Sequence, residues 1–256
     1  MKRLFTVLVT LTFVSVYVGN VQAQEDTPKP KYIVWEAKVE IAQMDKLLSA
    51  LDAVHDHMNE LDYPYEELIQ YANDGYVWAS TQIENMADLD KIREADRNFW
   101  ESDPKKSEEL GKMFDDSYIK VGGMVIELQP ELSIMPSEQN MQNSGKRFRL
   151  FEKFYVKSGK GMAFSETIKK YCKLRKEHGF NQPLYTFHPL LASDMSVVYF
   201  ISEMGNSPAE NYTINDEFWT KAGEDGMDLW NEVKQNVSRM EQYFGVIDFD
   251  HSYFPE

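Results

Sequence analysis

Two glutamates and five histidines are the side chains of this 256-residue chain best placed by type to do chemistry. Glu36 sits in VWEAKVE (34–40) and Glu152 in LFEKFYV (150–156), each at the centre of a β-rich run. A carboxyl group buried in such a run is held above its ordinary pKa and can exchange a proton near neutrality, which makes either one a candidate general base. On a solvent-facing strand the same glutamate is only an outward polar residue. His188 alternates with Tyr185 and Phe187, so it points to the opposite sheet face from those rings and is a third candidate if that face is the inner one. His57 and His178 lie near the ends of two helices, where each could edge a ligand pocket or simply cap its helix. Trp35, Trp78, Tyr155 and Tyr199 line strands and could wall an apolar pocket, or serve as ordinary core. The histidines fall into no HExxH, paired CxxC or EF-hand spacing, so no metal site is expected. No phosphate-loop pattern is present, and no cofactor is called for. The single cysteine, Cys172, on a helix flank, reads as inert.

The elements that must position these groups are written twice. Phe99-Trp100 returns as Phe218-Trp219, and three further segments fall in the same order at nearly the same offset: 34–40 with 150–156, 76–80 with 198–202, and 124–133 with 245–254. In the first copy a strand over 31–40 precedes an amphipathic helix marked by Met44, Leu47, Leu51, Val54 and Met58. A hairpin follows around Asn73-Asp74-Gly75, whose residues tolerate positive φ. A second helical region over 88–118, broken at Ser102-Asp103-Pro104, leads to a strand at 122–130. The second copy gives a strand at 147–156, a helix bearing Phe164, Ile168, Tyr171 and Arg175, and a hairpin joining 183–190 to 197–202. Trp230, Val233, Val237, Met240 and Phe244 space out a late helix, and the chain closes in the strand GVIDFDHSYF. Phe99-Trp100 and Phe218-Trp219 are expected to anchor the second helix of each copy through their tryptophans. Each copy is thus a ferredoxin-like βαββαβ unit, the first over 31–132 and the second over 147–256, joined by a polar linker at 133–146.

A single sheet of this kind carries helices on one face and must cover the other, and two copies can do so by packing bare face to bare face. With this topology, the repeat and the strand-ending VIELQPELS and VIDFDHSYF, the sequence resembles the dimeric α+β-barrel superfamily in a fused, tandem form. It is similar in kind to NIPSNAP proteins, antibiotic-biosynthesis monooxygenases and ethyl-tert-butyl-ether-degradation proteins. The resemblance implies an α+β fold with an intramolecular barrel, and a monomer, because the interface of single-module relatives is already made within the chain. It leaves three functions open: binding of a small apolar or aromatic molecule in the lumen, a cofactor-independent monooxygenase or isomerase, and a non-catalytic protein with a packed lumen.

The start of the chain reads as an export signal. Lys2 and Arg3 precede an apolar run from Leu4 to Val18, and Val21-Gln22-Ala23 fits a cleavage site, so residues 1–23 are expected to be removed, leaving a short linker over 24–30. No later run is long enough to span a membrane, and the expected location is periplasmic or extracellular. Loss of Lys2 and Arg3 from 27 basic residues leaves 25 against 42 acidic ones, a net charge of −17. Such a balance disfavours nucleic acid and anionic membrane surfaces as partners.

Overall fold

The computed structural model describes residues 28–136 and 146–255. The expected leader at 1–23, most of the short linker after it and the middle of the 133–146 linker lie outside the described residues. The first half runs β1 (Lys31–Lys38), α1 (Met44–Glu60), β2 (Glu67–Ala72), β3 (Tyr76–Ile83), α2 (Asp88–Ser102), α3 (Pro104–Phe114) and β4 (Lys120–Leu128). The second runs β5 (Lys146–Val156), α4 (Gly161–Glu177), β6 (Leu184–Leu191), β7 (Val197–Ser202), α5 (Pro208–Asn236) and β8 (Val237–Tyr253). Pro104 takes the first position of α3 while the Asp103 carboxylate accepts from the backbone N–H groups of Lys105 and Lys106, which starts a new helix after α2 ends.

All eight strands pair antiparallel in a closed ring, β1-β3-β2-β8-β5-β7-β6-β4 and back to β1. Within the first half the strands neighbour as β4-β1-β3-β2, and within the second as β8-β5-β7-β6. The halves meet at two seams, β2 with β8 and β4 with β6. At the first seam Gly245 faces Ala72 so closely that a Cβ would stand 2.1 Å from the Tyr71 carbonyl oxygen. Beside it the fully buried Asp248 accepts from the Tyr71 hydroxyl at 3.0 Å and pairs with Lys146 at 2.9 Å.

The interior of the ring is occupied by side chains from every strand. Eight aromatic rings, Trp78, Phe151 and Phe187 with Tyr32, Tyr76, Tyr185, Tyr199 and Tyr243, form one cluster with Val34, Ile126 and Leu128. Lys153 reaches into it from β5, its Nζ 3.2 Å from Glu36 on β1, and the Trp78 indole donates to the same carboxylate at 2.8 Å. The ammonium lies 4.4 Å from the Tyr76 ring centre and 5.8–5.9 Å from those of Trp78, Tyr199 and Tyr243. Farther along β5, Arg149 donates to Gln70 at 2.6 Å and to Glu203 at 2.6 and 2.9 Å.

Val237, Met240 and Phe244 belong to β8, since α5 ends at Asn236 and β5 pairs with Val237 to Asp248 of the strand that follows. The three- and four-residue spacing that suggested a helix is carried by residues paired with β5. The repeated pair also anchors through phenylalanine: Phe99 and Phe218 are 4% and 0% exposed, whereas Trp100 is 41% exposed. Lys153→Ala leaves Glu36 without its cation among eight rings, and an unfolding midpoint in urea should fall by the equivalent of about 3 kcal/mol, while Glu36→Gln combined with Lys153→Met should cost far less.

Candidate functional site

Outside the barrel the two halves differ. Over the first, α1 lays Leu47, Leu48 and Leu51 directly on Ile69, Val77 and Ala79, and Phe114 of α3 adds to the same layer. Trp35 faces this outer side, its ring edge-on to Tyr118 at 6.3 Å, so it has no part in the lumen. Over the second half α4 covers β5 and β7 with Phe164, Ile168 and Cys172, but α5 packs chiefly on α4 and stands off the sheet. Its course is interrupted at Gly223, whose backbone (φ 53°, ψ −128°) suits only glycine and divides the 29-residue helix.

The space left beneath α5 is a cavity of about 580 Å³. Its floor is the outer face of the sheet, with Leu150, Glu152 and Phe154 of β5 and Met240 and Gln242 of β8. Its walls are Tyr171 of α4 and Tyr212, Asp216, Trp219 and Trp230 of α5. Tyr212, Met227, Trp230 and Met240 are each at least 38% exposed, which places the mouth of the cavity at an apolar rim.

Glu152 is the one floor residue able to exchange a proton. It is half-buried and lines the cavity. Burial pushes its carboxyl up to about 7; a hydrogen bond from the Gln242 amide at 3.2 Å and the charge of Arg175 offset that rise only in part. Arg175 is itself 1% exposed. Its guanidinium lies 5.0 Å from the Phe218 ring and 5.6 Å from that of Phe180, and it donates to the Tyr171 hydroxyl at 3.1 Å and to Gln182 at 3.2 Å. Tyr171 therefore accepts from behind and keeps its own O–H proton for a partner, and burial raises its pKa as well.

Of the candidate site residues chosen from sequence, Glu152 alone lines this cavity. Glu36, Trp78 and Tyr199 are inside the barrel, engaged with Lys153 and one another, and Tyr155 lies at the end of the same inward row with Arg239 over its ring at 3.8 Å. The lumen expected to receive a ligand thus carries these side chains, with Glu36, Tyr76 and Tyr199 half-buried. Glu36 and Glu152, paired by their flanking sequence, face opposite sides of the barrel wall, because a shift of one residue exchanges the faces of a strand. His188 faces outward too, since Tyr185 and Phe187 take the lumen side; its Nε2 is buried with no hydrogen-bond partner and burial lowers its pKa. His57 is packed on Phe99 with Nδ1 2.8 Å from Glu60, and His178 caps α4; neither reaches the cavity. Asp216 and Gln242 were not among the sequence candidates, and Tyr171, Arg175, Trp219 and Trp230 entered only as helix residues. The i, i+4 spacing of Tyr171 and Arg175 was the available signal.

No family model matches the chain, and no curated protein matches it. Solved structures do share its fold. An anthrone oxidase-like protein superimposes with a TM-score of 0.56 at 11% identity, over 87% of this chain and 92% of its own. A provisionally assigned monooxygenase from Fusobacterium nucleatum gives 0.53 at 12% identity (86% and 93% covered), and one from Lactobacillus acidophilus 0.51 at 10% (86% and 94%). At such identities the likeness shows the fold, an eight-stranded α+β barrel.

Glu152 has a folded-state pKa near 7 against 4.5 for the free side chain, so the folded protein holds this proton more tightly. Its contribution to stability is present in full below about pH 4.5 and lost as pH rises through about 7, by at most on the order of 3 kcal/mol. Glu152→Gln should therefore gain stability relative to wild type between pH 5 and 8 in paired urea titrations, and a constant difference would show the carboxyl to be unperturbed.

Proposed function

We propose that this protein binds a small aromatic or apolar molecule in the cavity between the second-half sheet and α5, and that Glu152 takes a proton from it. That transfer is the opening step available to a cofactor-independent monooxygenase or isomerase acting on an acidic C–H or O–H group. The observation that carries the reading is a glutamate carboxyl, its pKa raised by burial, on the floor of an aromatic-walled cavity. The fold shared with provisionally assigned monooxygenases and an anthrone oxidase-like protein supports it at the level of architecture. Tyr171, with its hydroxyl oriented by Arg175, is placed to donate to an oxygen that gains charge when the proton leaves.

The same reading takes the chain to be an exported monomer made of a duplicated unit. The charged, apolar and small-residue segments of 1–23 support export. The repeated element order and the matching strand order of the halves support duplication, with the β2–β8 and β4–β6 seams standing where two separate chains would meet.

2-Tetralone, a bicyclic ketone with an acidic benzylic C–H, fits a cavity of this size and tests the chemistry. Wild type should speed deuterium exchange at that carbon in D₂O, with a rate that rises through about pH 7, and Glu152→Gln should lose roughly 100-fold or more. Equal exchange by wild type and variant would overturn the role of Glu152.

A further inference from the structure

The cavity is unusual in this molecule for the charge on its walls. Its ionisable side chains are Glu152 and Asp216 together with the phenols of Tyr171 and Tyr212; among the described residues no lysine, arginine or histidine lines it. The aromatic groups are arranged as a partial cage: Trp219 stacks on Tyr171 at 6.0 Å and meets Trp230 at 6.3 Å with the rings inclined by 64°. Several other aromatic groups hold cations supplied by the chain itself. Lys153 lies among Tyr76, Trp78, Tyr199 and Tyr243, Arg175 against Phe180 and Phe218, and Arg239 over Tyr155. Over Trp219, Trp230 and Tyr212 no side-chain cation is found among the described residues. Rings whose faces carry negative potential, set beside two carboxylates, attract a desolvated cation most strongly where water is excluded.

We infer that the molecule this cavity accepts is an organic cation, a protonated amine or quaternary ammonium on an apolar body, whose charged end meets Glu152, Asp216 and the Trp219–Trp230 pair while its hydrocarbon lies on Leu150, Phe154 and Phe200. The inference rests on the reading that the cavity is the ligand site and narrows its ligand class. Arg175 offsets the attraction only in part: it lies behind the wall, 5.7 Å from the Tyr171 ring, donates to Tyr171 and Gln182, and does not overcome the effect of burial on Glu152. Burial holds the Glu152 carboxyl up in spite of Arg175, so its negative charge lacks a sufficient partner within the protein. A positive charge on the ligand also acidifies C–H bonds next to it, which suits a site whose base is a carboxylate.

The test compares benzyltrimethylammonium with neopentylbenzene, its uncharged carbon isostere, by quenching of tryptophan fluorescence on the full-length mature chain in 0.15 M salt. The cation should bind at least tenfold more tightly than the isostere, and Glu152→Gln, Asp216→Asn and Trp219→Leu should each weaken it severalfold while leaving the isostere nearly unchanged in the first two. Should Trp219→Leu fail to fold, the two carboxylate variants carry the comparison. Equal binding of both probes would keep the cavity as the ligand site and overturn the cation. Binding of neither would overturn both. Cation binding that all three variants leave intact would place it on the acidic surface and overturn the inference as well.

Discussion

A lysine charge enclosed by a barrel must be answered from within it, and the answer given to Lys153 governs much of this molecule. Its ammonium meets Glu36 from the opposite half and is surrounded by four aromatic rings. A charge so placed is tolerable only with its partner in reach, so β1 and β5 are held at a fixed separation across the lumen. Arg149 makes a second tie, to Gln70 of the other half and Glu203 of its own. The space between these ties is taken by aromatic side chains. The barrel is consequently a strut, and room for a ligand exists on its outside.

β5 connects the two environments. Phe151 and Lys153 face inward, Leu150, Glu152 and Phe154 face outward, and the two ionisable side chains that matter most are adjacent in sequence. The inner one is paired and encased. Its neighbour opens into a cavity where burial raises its pKa and little compensates its charge. That contrast depends on α5. In the first half an added helix, α3, fills the outer layer with Leu110 and Phe114; in the second a single helix broken at Gly223 stands on α4 and leaves the floor uncovered. The acidic, aromatic character of the cavity follows from the residues that this break presents.

Periodicity made the strand and helix sequence legible, because hydrophobic steps of two and of three or four residues reflect local geometry. The hairpin at Asn73-Asp74-Gly75 and the break at Pro104 are local signals and fall where the structure has a turn and a helix start. Which face a strand shows to the lumen is set by pairing with distant strands, so Glu36 and Glu152 were matched by sequence yet end on opposite faces. β8 shows the same limit: Val237, Met240 and Phe244 have helical spacing, and only their pairing with β5 makes them a strand. The cavity was not legible at all. It arises from how α5 leans on α4, and Trp219 and Trp230 meet only after that packing is made.

The most direct test of this account is a crystal structure of the protein soaked with 2-tetralone. The account predicts the ketone on the floor of β5 and β8, against Glu152 and beneath Trp219, with Lys153 and Glu36 still paired. A ketone found inside the barrel beside Trp78, with that ion pair parted, would contradict it.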